Sequence, residues 1–404
     1  MTDLVLCDPA TYAEGPPTDE YRRMRDSEPV SHQDHPYWER GFWALTRHAD
    51  VVATSRDSVV FRNSPHPLAD LSAAQAGDEE AGLAELLISK DQPEHTQLRK
   101  LVSAGFTPRR VADLTERIHE RVDTIIASLG NAKECDLVTD VAVGLPLHVI
   151  ADLVGIPEAD RAQVFEWTEQ MFGFDATVTE EQRGEAAMNT YLYADGLCEQ
   201  RRADPRDDLI SVLLDAEVDG DRLTQIQIDV FFMMLQNAGS ETTRNLITSG
   251  TLALLANPEQ AEEIRADLSV LPLAVEELLR YTTPVMQFFR RAAVDTEIAG
   301  VPIAADDRVL LVYSSANHDE RAFVDPEWLD LARTPNPHVG FGAGGPHFCL
   351  GANLARLEAR AMFEAIVTRF ENLEVTAPLE SLPRLHSCTI QGFAHVPVRW
   401  SQLC

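Results

Sequence analysis

The chain has 404 residues, a formal net charge of −31 at pH 7, and a hydrophobic fraction of 45%. That hydrophobic fraction is ordinary for a globular protein, and the strong negative charge argues against a nucleic-acid partner. Its six cysteines form no CxxC pair, which argues against a zinc site or a disulfide framework and favours a reducing, cytoplasmic setting.

The apolar segments predict neither a signal peptide nor a membrane span. Residues 1–5 include no basic region followed by an apolar one. The most apolar segment, 141–156, is interrupted by Pro146, His148 and Asp152, whereas a span needs about 18 or more apolar residues in a row. Because no apolar segment is long enough to span a membrane, we expect no contact with one. Because the sequence shows no internal repeat and no low-complexity linker, we expect one domain over residues 1–404.

The hydrophobic periodicity predicts a mainly α protein with small antiparallel sheets at its edges. Helices are expected at 93–102, 109–129, 224–255, 273–281 and 350–370, and strands at 41–46, 288–293, 308–313 and 395–400. The longest helix begins at a capping box of Thr224 and Gln227 and ends before Asn257 and Pro258. With about 30 residues it spans roughly 45 Å, and because it is apolar on most faces it should cross the centre of the protein.

A glycine-dense loop over residues 339–351 leads to a single cysteine, Cys349, at the start of a helix. Backbone N–H groups and the helix N-terminus favour a thiolate there. Three other interpretations stay open: a buried structural cysteine, a nucleotide loop, and a nucleophilic pair with His347. The nucleotide interpretation uses Gly340, Gly342 and Gly345 as G-x-G-x-x-G, but no clear strand precedes them.

Two further clusters carry possible chemistry. The long helix contains Glu241 and Thr242 after Gly239; a glycine there costs about 1 kcal/mol against alanine, and a buried glutamate is costly unless it is paired or used. The alternative is a packing glycine and a solvated Glu–Thr pair. His95 and Arg99 lie one helical turn apart and suit a carboxylate ligand, or else they form a solvated face.

Taken in order, these motifs resemble the bacterial cytochrome P450 family, of the actinobacterial, class I type. The loop is similar to the family's haem-binding loop F-G-x-G-x-H-x-C-x-G, with one more residue than usual between Phe341 and Cys349. A similar longer loop occurs in some actinobacterial members that act on steroids and branched lipids. This departure leaves open which of Gly344, Gly345 and Pro346 lies nearest the sulfur.

The resemblance assigns roles to particular residues. Cys349 would be the proximal iron ligand. Thr242 would hydrogen-bond dioxygen and Glu241 would help to deliver protons. Residues assigned to cofactor binding are His95, Arg99, Ala238, Gly239, Arg290, Phe341, Gly342, His347, Cys349 and Gly351. The family's E-x-x-R is matched by Glu277 and Arg280, with Arg333 as the expected partner in a structural network.

The resemblance implies the α-rich P450 fold, with a long central helix over haem b and a small β-rich lobe. It also implies insertion of one oxygen atom from O₂ into a hydrophobic terpenoid, steroid or fatty-acyl compound by hydroxylation or epoxidation. Electrons would come from NAD(P)H through ferredoxin reductase and ferredoxin to a cytoplasmic monomer. The pocket is expected within 71–88, 172–175, 231–238, 285–289 and 389–390, from residues such as Phe231, Leu235, Val285, Met286, Phe288 and Ile390.

Two alternatives of other classes are a non-catalytic haem protein or gas sensor, and an enzyme driven by peroxide or catalysing oxidative coupling or rearrangement. The Glu241–Thr242 pair argues against both, because a sensor needs no proton delivery and peroxide-driven members commonly lose the pair. For the electron donor, we expect some of five cations to form a basic patch in the acidic protein: Arg99, Lys100, Arg109, Arg110 and Arg356.

Overall fold

The computed structural model describes residues 5–35, 37–69, 85–172, 178–218 and 220–403. Its α-helices, in chain order, are α1 Thr18–Ser27, α2 His48–Arg56, α3 Glu94–Ser103, α4 Pro108–Asp113, α5 Thr115–Ser128, α6 Gly144–Val154, α7 Glu158–Phe172, α8 Glu180–Ala203, α9 Leu209–Asp215, α10 Gln225–Ala256, α11 Pro258–Ala266, α12 Leu271–Thr282, α13 Tyr313–Ala316 and α14 Ala352–Arg369. A π-helical segment, Leu137–Ala142, leads into α6.

The strands are short. They are β1 Val30–His35, β2 Trp38–Leu45, β3 Phe61–Arg62, β4 Glu134–Asp136, β5 Glu217–Val218, β6 Asp221–Arg222, β7 Gln287–Ala292, β8 Thr296–Ile298, β9 Val301–Ile303, β10 Arg308–Val312, β11 Phe370–Glu371, β12 Glu374–Val375, β13 Pro397–Arg399 and β14 Gln402–Leu403. The largest sheet has the order β1-β2-β10-β7-β3, and a three-stranded sheet has the order β12-β13-β4.

Helix α10 is the longest helix, with 32 residues, and other helices pack around it. The predicted capping box is present: the Gln227 N–H donates to the Thr224 hydroxyl at 3.3 Å, and the Thr224 N–H donates to the Gln227 side chain at 2.9 Å. The helix packs against α6, α8, α12 and α14, and most of its side chains beyond Gly239 are buried. A Cβ on Gly250 would lie 2.5 Å from the ring of Phe363, so glycine lets α14 approach α10 closely.

Most of the predicted elements are found close to their expected bounds, with two differences. The helix expected over 109–129 is divided into α4 and α5, and Thr107 caps α4 by accepting a hydrogen bond from the Arg110 N–H at 3.4 Å. The largest sheet was expected to be antiparallel, but it is mixed. Strand β10 pairs in parallel with β2 and antiparallel with β7, because a strand more than 260 residues away in sequence inserts beside the β1–β2 hairpin.

Within the described part of the chain, one stretch, Leu137–Val154, has the length and apolar composition of a membrane span. It is 67% buried inside the fold, where its side chains belong to the main hydrophobic core. Its composition is thus accounted for by its position beside α10.

Candidate active site

The cysteine loop folds back on itself before α14. The Cys349 N–H donates to the Phe341 carbonyl at 3.0 Å, and the Gly342 N–H donates to the Val339 carbonyl at 2.9 Å. Gly342, Gly344 and Gly345 have φ values of 87°, 90° and 82°, a region that side chains other than glycine rarely adopt. The glycines are therefore required by the path of the loop.

The additional length of the loop is taken up against α2. The Ser55 hydroxyl donates to the Gly344 carbonyl at 3.1 Å. A Cβ on Gly345 would lie 2.7 Å from the Ser55 carbonyl oxygen, and one on Gly344 would lie 3.0 Å from Arg56 Nε. The sequence left open which of Gly344, Gly345 and Pro346 lies nearest the sulfur of Cys349. In the structure, Gly344 and Gly345 pack on α2.

Cys349 is largely buried but keeps some accessible surface. Even so, burial raises the pKa of the Cys349 thiol, against the opposing effects of the Gly351 N–H and the cations Arg99 and Arg356. The Gly351 N–H, Arg99 and Arg356 are thus the groups near the sulfur that favour the thiolate.

A group of cationic and imidazole side chains converges beside the cysteine. The rings of His95 and His347 are 4.1 Å apart between centroids, and Arg99 Nη2 donates to the Phe348 carbonyl at 2.8 Å. Burial, then His95, Arg290 and Arg99, lower the pKa of His347 to about 2. The groups predicted from the sequence to act together are therefore near one another in the structure.

This group fits an anionic ligand. Arg290 is buried, and its guanidinium donates to the Phe289 carbonyl. His95 is also buried, and its Nδ1 has no hydrogen-bond partner in the described structure. Like charges gathered in a poorly solvated place are costly, whereas a carboxylate would accept their hydrogen bonds and offset the charge. Two guanidinium groups and two imidazoles match a ligand with a pair of carboxylates.

Helix α10 presents a stripe of accessible positions at its centre. Ala238 is exposed, and Met234 and Thr242, one turn to either side, are partly exposed, although neighbouring residues on this helix are mostly buried. The Thr242 hydroxyl donates to the Ala238 carbonyl at 2.9 Å. The stripe is therefore an accessible face at the centre of an otherwise mostly buried helix. Gly239 faces α6, because a Cβ there would lie 2.5 Å from Ile150. This glycine therefore serves helix packing, one of the two interpretations that the sequence left open.

Glu241 is buried and paired. Arg244 Nη2 donates to Glu241 Oε2 at 2.5 Å, and Arg244 Nη1 lies 3.7 Å from Glu169 Oε1 on α7. Burial raises the pKa of Glu241 to about 7, and Arg244 opposes the rise. Arg244 was not predicted from the sequence, although its spacing of three residues from Glu241 on one helix indicates an ion pair.

The expected network around Glu277 is assembled. Arg280 donates to both carboxylate oxygens of Glu277 at 2.8 Å, and Arg333 Nε lies 3.1 Å from each of them. Glu277 and Arg280 have no exposed side-chain surface. Arg280 also donates to the carbonyls of Asn317 and Pro326 at 2.8 Å. The network ties α12 to the segment that precedes the cysteine loop.

The residues expected to line the substrate pocket differ in their exposure and in the elements on which they lie. Val285 and Ile390 form a β-bridge and are partly exposed, as is Phe288. Phe231 and Leu235 are buried on α10, one turn apart and on the N-terminal side of Gly239. Met286 is fully buried in a core cluster with Phe289 and Leu310, so it is better described as a core residue. The expected segments 71–84 and 173–175, and the side chain of Phe172, lie outside the described part of the structure.

Only part of the expected basic patch is free of local acidic partners. Arg110 pairs with Asp207 at 2.8 Å, and Arg356 pairs with Glu276 at 2.6 Å. Lys100 and Arg109 are exposed. Phe348, beside the cysteine, is 40% exposed.

Comparison with known proteins agrees with this geometry. The family model for cytochrome P450 matches residues 143–390. The steroid C26-monooxygenase of Rhodococcus jostii is 39% identical over 397 residues, which cover 97% of this chain and 83% of that protein. A methyl-branched lipid omega-hydroxylase of Mycobacterium tuberculosis is 41% identical over 89% of this chain and 84% of its own length.

Solved structures give the same answer. The Mycobacterium marinum cytochrome P450 CYP268A2, in complex with pseudoionone, superposes with a TM-score of 0.89 at 37% identity and covers 98% of each chain. CYP108D1 from Novosphingobium aromaticivorans has a TM-score of 0.89 at 33% identity, covering 98% of this chain and 97% of its own. The chain therefore belongs to the cytochrome P450 family and is a bacterial haem-iron monooxygenase.

Proposed function

We propose that the protein hydroxylates the terminal carbon of a methyl-branched hydrophobic chain, on a steroid side chain or a branched lipid, with Cys349 as the ligand to haem iron. The observation that carries the haem assignment is the group of His95, Arg99, Arg290 and His347 beside Cys349. The position of attack is supported by the names of two relatives, a steroid C26-monooxygenase and a methyl-branched lipid omega-hydroxylase. C26 is a terminal carbon of a branched side chain, so the two names describe similar chemistry.

The residues at the site fit haem b. Bound there, haem would supply the activation of O₂ and the insertion of one oxygen atom into a C–H bond. Cys349 would hold the iron through its sulfur, and the loop N–H groups and nearby cations favour the thiolate form. His95, Arg99, Arg290 and His347 would hold the propionates, which would satisfy the His95 Nδ1 that lacks a partner.

Glu241 and Thr242 would handle protons. With a pKa raised by burial to about 7, the Glu241 carboxyl can both hold and release a proton at neutral pH, as a proton-transfer group requires. The Thr242 side chain is partly exposed on α10. Its hydroxyl donates to the Ala238 carbonyl at 2.9 Å and would have to release that carbonyl in order to donate a hydrogen bond to a bound ligand. Arg244 links the buried carboxyl to Glu169, whose side chain is 43% exposed, so the ion-paired set extends from Glu241 to the protein surface.

The substrate would bind against apolar side chains. Val285, Phe288 and Ile390 keep accessible surface, and Val285 and Phe288 pack beside a buried core. Phe231 and Leu235 are buried on α10 and would contact the substrate only if side chains around them move. Such a lining favours a hydrocarbon chain and excludes water from the reacting carbon.

We further propose that electrons come from NAD(P)H through a ferredoxin reductase and an acidic ferredoxin that docks near Phe348, and that the enzyme is a cytoplasmic monomer working as one domain. Lys100 and Arg109 are exposed cations of the expected patch, in a protein of net charge −31. Raising the ionic strength should therefore slow electron transfer. Lys100→Glu/Arg109→Glu should slow it at low salt, whereas Arg399→Glu on β13 should not. A rate unaffected by salt and by both charge reversals would contradict this docking face.

The substrate proposal is tested by titrating the ferric enzyme with a cholestane-type steroid, a methyl-branched fatty acid and a straight-chain fatty acid of equal length. Displacement of water by a bound ligand changes the haem spin-state spectrum. We expect tighter binding of the two branched compounds, and a product hydroxylated at the terminal carbon by mass spectrometry. Preferential binding of the straight chain, or oxidation within the ring system, would contradict the proposal.

A further inference from the structure

Glu276 joins the two sides of the cysteine loop. It lies on α12, next to Glu277, and accepts hydrogen bonds from Arg356 Nε and Nη2 at 2.6 and 2.7 Å. His338 Nε2 lies 3.0 Å from Glu276 Oε2. His338 precedes Cys349 by eleven positions and Arg356 follows it by seven, so a single carboxylate holds the chain before and after the cysteine.

The hydrogen bonds of the two ring nitrogens fix the tautomer of His338. The Gly340 N–H donates to His338 Nδ1 at 3.1 Å. A backbone N–H can only donate, so Nδ1 carries no proton and Nε2 must donate its proton to Glu276. The neutral imidazole thus connects the backbone at the start of the loop to the carboxylate on α12.

Arg356 continues the connection to the cysteine. Its guanidinium carbon lies 4.5 Å from the centre of the Phe341 ring, within the range of a cation–π contact. The Phe341 carbonyl accepts the hydrogen bond from the Cys349 N–H at 3.0 Å. Glu276, Arg356, Phe341 and Cys349 therefore form one contiguous set of contacts.

Arg356 and Glu276 carry opposite charges and pair with each other near the cysteine. Arg356 stacks on Phe341, whose carbonyl accepts the hydrogen bond from the Cys349 N–H, so its positive charge lies close to the cysteine. Burial raises the pKa of Glu276, but the hydrogen bonds from Arg356 and His338 outweigh it, and the pKa is about 2. Glu276 is therefore ionised at neutral pH and compensates the charge of Arg356.

We propose that Glu276, His338 and Arg356 are positioning residues for Cys349, which clamp both ends of the cysteine loop, hold Phe341 against it and balance the charge near the sulfur. The proposal rests on the assignment of Cys349 as the iron ligand. It gives Arg356, expected from the sequence to be a docking cation, a role inside the protein.

The test compares Glu276→Gln, Arg356→Met and the double variant with the wild-type holoenzyme and with Glu259→Gln, which removes an exposed charge from α11. The first readout is the lifetime of the thiolate-type Soret band of the reduced carbon monoxide complex during mild heating. Each single variant should shorten this lifetime several-fold. The double variant should be no worse than the more affected single variant, because both substitutions open the same clamp. Glu259→Gln should match the wild type.

The second readout is the midpoint potential of the haem iron, which a purely structural role would not move in opposite directions. Glu276→Gln should raise the potential, since it leaves Arg356 uncompensated, and Arg356→Met should lower it. If Arg356→Met does not bind haem, Arg356→Lys keeps the charge but loses the two-point hydrogen bond, and should change the lifetime more than the potential. Unchanged lifetimes, or potentials that shift in the same direction in both single variants, would overturn the clamp. A wild-type enzyme without the thiolate-type band would overturn the ligand assignment beneath it.

Discussion

Glu358, on α14, allows a direct test of how burial changes the ionisation of a carboxyl group in this fold. Its side chain is 2% exposed, and its Oε2 atom has no hydrogen-bond partner among the described residues. Burial raises the pKa of this carboxyl from an ordinary value of 4.5 to about 8. The replacement Glu358→Gln keeps the size and shape of the side chain but removes the titrating proton.

The sign and size of the effect follow from linkage. Below pH 4.5 both the folded and the unfolded states are protonated, so the glutamate carries no pH-dependent cost. Between pH 4.5 and about 8 the unfolded state ionises while the folded state keeps its proton, so the stability of the wild type falls as pH rises. At about 1.4 kcal/mol per pH unit, the loss amounts to at most about 5 kcal/mol and is complete above pH 8.

Urea unfolding of the two holoproteins at pH 5, 7 and 9, at constant ionic strength, measures this difference. The stability of Glu358→Gln relative to the wild type should rise steadily with pH, by several kcal/mol over the series. Glu364→Gln, on the same helix but partly exposed, should show little such trend. A stability difference that is independent of pH, or that favours the wild type increasingly at high pH, would show that folding does not raise the pKa of Glu358.

Three further predictions concern the active site and its loop. Thr242→Ala should uncouple the reaction, with NAD(P)H consumption continuing while hydroxylated product falls several-fold; unchanged coupling would contradict the role of Thr242. Arg244→Leu should raise the pKa of Glu241 above about 7, because Arg244 opposes the effect of burial, and infrared titration of the carboxyl band should show the shift; no shift would contradict the pairing. Gly345→Ala places a Cβ 2.7 Å from the Ser55 carbonyl oxygen at a φ of 82°, and should lower stability by about 1–3 kcal/mol; an unchanged melting temperature would show that the loop adapts.

The features that could be predicted from sequence are those specified locally. The capping box of Thr224 and Gln227 sets the start of α10, and hydrophobic periodicity sets its course to Ala256. The motif around Cys349 and the pair Glu277 and Arg280 were found because their spacing along the chain is short. In each case, residues within a few turns determine the structure.

What the sequence did not predict depends on contacts between distant segments. The parallel pairing of β10 with β2 joins parts of the chain that no local pattern connects. The role of Gly239 in packing against Ile150 could not be separated from a role at the cofactor, because both require a small residue. The partnership of Glu276 with Arg356 spans 80 positions, and both residue types are also common on solvated helix faces.

If Cys349 is the thiolate ligand of a haem, the visible spectrum of the reduced protein with carbon monoxide will show it. We expect the strongly red-shifted Soret band of thiolate-ligated haem in the wild type and its loss in Cys349→Ala. A protein that cannot be reconstituted with haem, or a red-shifted band that persists in Cys349→Ala, would contradict this assignment of Cys349.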